Sequence, residues 1–222
     1  MSTPPRKETI SSRISARLRS AILRGDLAPG AKINLDRLRE HYDVSISPLR
    51  EAVSRLMSDG LVEFEDQRGY SVAPISAANL REITLLRAEL DVLALRMAIE
   101  QGDLEWESDV MRALYRLTHA KRDAADAAMT DAWDAAHTEF HMALLRGCKM
   151  PLLLHFCVML QNMNDRYHRL YLQADVTGRD IGAEHTAIAT AATSRDVGLA
   201  CSALQDHILA TGNALAQRLG AV

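Results

Sequence analysis

Between Ser47 and Pro74 the chain changes its hydrophobic period once, from helix to hairpin. Ser47-Pro48 places a capping hydroxyl before a proline suited to the first helical position. Leu49, Ala52, Val53, Leu56 and Met57 then repeat at i, i+3, i+4, i+7 and i+8, the apolar stripe of a packed helix. Arg50, Glu51, Ser54, Arg55 and Ser58 take the other face. Gly60 ends the helix. Val62 and Phe64 alternate with Glu63 and Glu65, Asp66-Gln67-Arg68-Gly69 turns, and Tyr70 and Val72 alternate again before Pro74. That is one β-hairpin.

Two helices precede this unit. Ile14, Leu18, Ala21 and Ile22 recur at helical spacing until Gly25. Leu27-Ala28-Pro29-Gly30 is a turn, and Asn34 can cap a short helix with Leu35, Leu38 and Tyr42 inward. Three helices and a hairpin predict a winged helix-turn-helix over residues 8–75, behind a polar arm at 1–9. In that architecture the N-terminus of the third helix enters the major groove of double-stranded DNA and the wing reaches the neighbouring groove. Ser45 and Ser47 can bond phosphate, and Arg50 and Arg55 can reach phosphates or guanine edges. Glu63, Glu65 and Asp66 oppose DNA, so Arg68 and Gly69 at the tip are the wing candidates. Arg37 and Arg39 on the second helix are candidates for phosphate contact.

Beyond residue 76 everything reads as helix: a long first one from a Ser76 cap to Gly102, then about 104–124, 130–147, 151–174, 181–193 and 196–219. Leu80, Ile83, Leu90, Leu93, Ala94 and Met97 are expected inward on the first. Gly102, Gly147-Pro151, Thr177-Gly178 and Thr193-Ser194 punctuate the series. The fold class is mostly α: a winged helix-turn-helix followed by an all-helical bundle over 79–219. Aromatics are only 5% of 222 residues, which argues against an all-β chain.

Charge is unevenly placed. Residues 1–75 hold 12 basic against 10 acidic side chains, and the remainder holds 14 against 19. The net charge of -3 excludes a wholesale polycation, not a DNA binder. Cys148, Cys157 and Cys201 form no CxxC pair and read as reduced thiols. The first ten residues carry no apolar run of a signal peptide, and the longest apolar stretch, Leu152–Leu160, is too short to span a bilayer. A cytoplasmic protein with no membrane partner is expected.

The second region is rich in histidine. His137 and His141 stand at i and i+4 on one helix face, a spacing that can grip one metal ion. Glu139 falls outside the zinc-protease pattern, which needs Glu directly after the first His. His185 lies about 10 residues before the turn near 193–196 and His207 about 12 after it, so at roughly 1.5 Å per residue their rings reach a similar level. Four imidazoles can therefore converge in the bundle. His119, His155 and His168 read as ordinary core or surface residues. Arg87, between Ile83 and Leu90, lies on the apolar face of its helix and needs a partner. Asp134 or Glu139 would serve structurally; a ligand carboxylate would serve functionally.

Residues 10–74 resemble the GntR family of bacterial regulators. The matching runs are Ile22…Gly25-Asp26-Leu27-Ala28-Pro29-Gly30, Val44-Ser45-Ile46-Ser47-Pro48-Leu49-Arg50-Glu51-Ala52, Leu56…Gly60-Leu61-Val62 and Arg68-Gly69-Tyr70-Ser71-Val72. Ile46 stands where the family commonly has a basic residue that helps grip DNA. Residues 80–215 resemble the FCD ligand domain of the FadR-type branch, through Arg87 with Glu89 and Asp91, Phe140-His141, Glu184-His185 and Asp206-His207-Ile208. The resemblance implies a divalent metal held by an Asp and three His, and an inward Arg that binds the carboxylate of a small organic acid. Here the Asp position is His137. The implied ligands are then His137, His141, His185 and His207, a softer set that favours Zn²⁺ or Ni²⁺ over Mn²⁺. Arg87 is the effector-binding candidate, with Arg166, Tyr167 and Asn213 beside it.

The expected function is a ligand-responsive transcriptional repressor, acting as a homodimer because a pseudo-palindromic operator needs two recognition helices about a two-fold axis. The alternatives are a metal-dependent enzyme with an accessory helical domain, and a constitutive DNA binder with a structural metal.

Overall fold

The computed structural model describes residues 9–123, 126–171 and 179–220. The polar arm, except Thr9, lies outside these residues, as do Thr177-Gly178 and the end of the helix expected over 151–174. The chain forms two compact units that divide between Ile75 and Ser76.

The first unit contains α1 (Ile10–Arg24), α2 (Leu35–Tyr42) and α3 (Ile46–Ser58), with strands β1 (Lys32–Ile33), β2 (Val62–Glu65) and β3 (Gly69–Val72). Asn34 caps α2 by accepting from the Asp36 and Arg37 amides. Ile14, Leu18 and Ile22 of α1 pack with Leu49, Ala52, Val53 and Leu56 of α3 and with Leu61, Val62 and Val72. The hairpin pairs Val62 with Val72 and Glu65 with Gly69, and Gly69 supplies the positive φ of 78° that closes the turn.

Three local expectations are corrected. The wing is a three-stranded antiparallel sheet, because Lys32 and Ile33 pair with Ser71 and Tyr70. A two-residue strand shows no alternation, so its sequence carries no signal. α3 begins at Ile46 with Ser45, not Ser47, at its N-cap position. Pro48 is then third in the helix, still among the first four residues whose N–H groups have no partner within the helix. Met57 is 38% exposed, at the edge of the stripe.

The second unit is all-helical among its described residues: α4 (Ala77–Gln101), α5 (Leu104–His119), α6 (Ala127–Arg146), α7 (Pro151–Tyr171), α8 (Ile181–Thr193) and α9 (Val197–Leu219). The Ser76 hydroxyl caps α4 by accepting from the Asn79 amide at 3.1 Å. α4 packs against α6, α7 and α9. Its buried set is Leu80, Ile83, Thr84, Arg87, Ala88, Asp91, Ala94, Leu95, Ala98 and Ile99. Leu93, expected inward, is 41% exposed, and Leu95 is buried instead. At about 100° per residue Leu93 lies about 220° round the helix from Leu80, and Leu95 only about 60°. α5 stops at His119, where Ala120 turns extended, short of the expected residue 124. Gly212 lets α9 approach α4 closely: a Cβ there would stand 2.4 Å from the Thr84 side chain.

Candidate metal centre and nucleic-acid interface

α3 presents Ser45, Ser47, Arg50 and Arg55 to solvent, and α2 presents Arg37 and Arg39. Ser45 makes no side-chain cap, so both its hydroxyl and the first amides of α3 are open to an anion. The guanidinium groups of Arg37, Arg39 and Arg50 make no ion pair among the described residues. Arg55 differs. It donates to Ser12 Oγ of α1 at 2.9 Å and pairs with Glu51 one turn back. Glu51 is held below the usual carboxylate range, first by that arginine's hydrogen bond. On the wing, Arg68 is exposed and bonds Glu65 at 3.0 Å across the tip, next to the half-buried Gly69. Phe64 and Tyr70 pack their rings 5.0 Å apart on the hairpin.

In the second unit His137 and His141 of α6, His185 of α8 and His207 of α9 bring one ligand atom each to within 4.8 Å of one another, all four buried. The Nε2 atoms of His137 and His141 are 3.2 Å apart. His207 points Nδ1 at Glu184 Oε2, 2.8 Å away. His185 Nε2 is buried without a hydrogen-bond partner among the described residues, a costly arrangement that a bound cation would relieve. Burial lowers every imidazole here: His185 to about 3, with His207 adding to the effect, and His137 and His141 well below their ordinary value. His207 is lowered by burial too, against the pull of Glu184. Neutral rings have free lone pairs, the form that ligates. The donor set thus fits a divalent ion: four neutral nitrogens suit Zn²⁺ or Ni²⁺.

The rings are supported from outside. Trp133 stacks on His137 with centroids 4.9 Å apart and an interplanar angle of 14°, and His168 stacks on His137 at 5.2 Å. His168, read from sequence as ordinary, thus borders the cluster; burial and the charge of Arg122 hold it at about 3. Arg122 lies 4.8 Å over the Trp133 ring.

Arg87 is buried, and its partner is neither Asp134 nor Glu139. Its Nε donates to Asp91 Oδ2 at 3.1 Å, while Asp134 pairs with Arg169 and Glu139 with Arg146. The spacing of four on one helix could have shown this pair in the sequence. Arg87 Nη2 and Asp91 Oδ1 remain buried without a hydrogen bond. Burial raises the Asp91 carboxyl against the pull of Arg87. A half-buried carboxyl, Asp165, accepts from Thr138 Oγ1 at 2.9 Å and Gln161 Nε2 at 2.6 Å, and desolvation pushes it up to about 6.

The other effector candidates disperse. Tyr167 is fully buried, but its hydroxyl engages the start of α4: it accepts from the Ser76 amide at 3.1 Å and lies 2.9 Å from Asn79 Oδ1. Arg166 is fully buried, its guanidinium 5.7 Å from the Tyr167 ring. Asn213 is exposed on α9, about 240° round the helix from His207 at about 100° per residue.

A winged helix-turn-helix with a positive helix face, joined in one chain to a helical domain holding a buried histidine cluster, defines a DNA-binding regulator. The FCD domain family matches residues 82–210, and the family described as bacterial regulatory proteins, gntR family, matches residues 10–72. The chain belongs to the GntR family of transcriptional regulators, with an FCD domain. It is 33% identical over 196 residues to an uncharacterized HTH-type transcriptional regulator, BphR, of Paraburkholderia xenovorans LB400, covering 86% of this chain and 79% of that one. It is 32% identical over 196 residues to the HTH-type transcriptional repressor GlaR of Escherichia coli K12, covering 86% and 89%. Among solved structures, Escherichia coli McbR/YncC has the same fold, with a TM-score of 0.76 at 21% identity over 94% of this chain and 98% of that one. These families are regulators, so the enzyme reading is set aside. No helix among the described residues is long and apolar enough to cross a membrane.

Proposed function

We propose that the chain is a metal-dependent, acid-responsive repressor that binds a pseudo-palindromic operator as a homodimer in the cytoplasm. The observation that carries the sensing half is the quartet His137, His141, His185 and His207, with His185 Nε2 buried and unbonded. A Zn²⁺ or Ni²⁺ ion held there would keep its positive charge, since no carboxylate belongs to the quartet. Arg87 supplies the organic anchor: its buried, unbonded Nη2 can donate to the carboxylate of a small organic acid. The ligand shifts the DNA-binding equilibrium by preferring one arrangement of the protein over another.

On the DNA side Arg50 is the base reader, with Ser45, Ser47, Arg37 and Arg39 on phosphate and Arg68-Gly69 on the adjacent groove. Leu85, Leu86 and Leu93 of α4 and Leu152 and Phe156 of α7 are exposed apolar side chains on two packed helices, and offer the surface for a second copy.

The test is a thermal-shift screen of small mono- and dicarboxylic acids, before and after chelation, followed by gel shifts with promoter DNA. Elemental analysis should find about one divalent ion per chain. An acid that stabilises the loaded protein only, and that releases DNA, supports the whole reading. A metal with no acid response leaves a structural metal and constitutive DNA binding. Absence of metal in protein never exposed to chelator overturns the sensing half.

A further inference from the structure

We infer that Glu184, Arg179 and Thr211 form a relay that positions His207 for the metal, fixing which of its two nitrogens is presented; this rests on the metal reading above. Glu184 directly precedes the ligand candidate His185 on α8, yet its carboxylate turns to α9 and meets His207 Nδ1 at 2.8 Å. A carboxylate only accepts, so His207 carries its proton on Nδ1 and keeps the Nε2 lone pair. Carboxylate support of this kind orients a ligating imidazole and raises its basicity.

Glu184 is itself held. Arg179 donates from Nε to Oε1 at 2.9 Å and from Nη2 to Oε2 at 2.5 Å, the parallel fork that fixes a carboxylate in plane. The same guanidinium donates from Nη1 to Thr211 Oγ1 at 3.2 Å. Thr211 lies one turn beyond His207 on α9. The relay therefore reaches α9 twice, once from α8 through Glu184 to His207 and once from the residue before its N-cap through Arg179 to Thr211. The sequence gives His185 and His207 as separate ligands; the structure makes the residue beside one of them the support of the other. Among the described residues no carboxylate takes this role for His137, which is stacked by Trp133 and His168.

The arrangement assigns different weights to the relay members. Glu184→Ala removes the acceptor and should weaken Zn²⁺ binding by about 10- to 100-fold. Glu184→Gln keeps an acceptor oxygen without the charge and should fall between that variant and the wild type. Arg179→Ala loosens Glu184 and should weaken binding by less than Glu184→Ala.

The experiment titrates full-length protein with Zn²⁺ against a chromophoric chelator for the wild type, the three relay variants and His141→Ala. It is paired with ¹⁵N–¹H correlation spectra of the histidine rings in metal-free protein. The expected result is the affinity order wild type, Glu184→Gln, Glu184→Ala, with His207 protonated on Nδ1 in the wild type and a mixture of tautomers in Glu184→Ala. Circular dichroism should show all variants equally helical. A variant that misfolds is replaced by Glu184→Gln, whose shape is conserved. If the wild type binds Zn²⁺ and both Glu184 variants bind it equally well, or if the His207 tautomer is unchanged in Glu184→Ala, the relay is overturned. If the wild type and His141→Ala alike take up no Zn²⁺, the metal reading fails, and the relay's role toward a metal fails with it.

Discussion

Arg87 Nε and Asp91 Oδ2 stand 3.1 Å apart one turn along α4, with both side chains at most 5% exposed. Each keeps one buried polar atom unbonded. The pair is thus internally neutral but incompletely satisfied. Removing the arginine alone strands Asp91. Arg87→Ala should cost about 3–5 kcal/mol in urea unfolding, the usual effect of breaking a buried pair from one side. Replacing both, as Arg87→Met with Asp91→Leu, should recover most of that loss. The double variant should still bind DNA and take up metal, but no acid should stabilise it. An acid response that survives in the double variant moves the effector anchor away from Arg87.

On the DNA side the prediction separates two arginines five residues apart. Arg50 is exposed with no ion pair among the described residues, whereas Arg55 is tied to Glu51 and Ser12. Arg50→Ala should weaken operator binding by about 1–3 kcal/mol and relax preference at one position in each half-site. Arg55→Ala should have a smaller effect on operator affinity and a small but measurable one on stability, because it removes a surface tie between α3 and α1. Gel shifts on single-base operator variants, with parallel unfolding curves, distinguish them. Equal loss of specificity for both would place Arg55 on the bases as well.

The order of the helices, the hairpin and the histidine quartet were legible because each rests on a spacing: 3.6 residues along α3, two along the hairpin, four between His137 and His141, and similar distances of His185 and His207 from the turn between α8 and α9. What escaped has physical reasons. β1 is too short to alternate, and α4 is buried on so many sides that its stripe blurs, which misplaced Leu93. Asn213 and Tyr167 were candidates by residue type, yet side-chain direction depends on helix phase and on neighbours far along the chain. The Tyr167 hydroxyl serves Ser76, 91 residues away. Glu184 was visible as a neighbour of His185, but its partner His207 lies 23 residues further on and only the α8–α9 packing joins them.

The crossing of α4 and α9 gives a prediction that is independent of function. A Cβ on Gly212 would meet Thr84 Cγ2 and Oγ1 at 2.4 Å, and the Thr84 hydroxyl is bonded to the Leu80 carbonyl at 2.8 Å. Threonine is stiff at χ1, so it yields poorly. Gly212→Ala should therefore destabilise the domain by about 1–3 kcal/mol despite the better helix propensity of alanine. Adding Thr84→Ala should reverse the sign of the Gly212→Ala effect. A neutral Gly212→Ala single variant would mean that the two helices separate at little cost.

The buried imidazoles make metal-free stability depend on pH in a defined direction. His168 and His185 are held at about 3 in the fold, first by burial, against 6.5 when exposed. The unfolded chain therefore binds more protons than the folded one at any pH between those values. Stability rises with pH wherever that holds, so the contribution is complete above about pH 6.5 and is lost progressively as pH falls towards 3. Most carboxylates titrate near 4, but Asp165, at about 6 in the fold, takes up a proton between pH 6.5 and 5 and opposes the slope, so an Asp165→Asn background isolates the histidines. Urea midpoints of chelated protein in that background should fall steadily across the interval. His168→Gln should flatten the slope without removing the metal, because His168 borders the quartet and is not in it. Metal-loaded protein should resist acid over the upper part of the interval and then lose both ion and stability together, since protons and metal compete for the same nitrogens. A urea midpoint that stays constant from pH 6.5 to 5 in the chelated Asp165→Asn protein would show that these rings are open to water and protonate without cost to the fold.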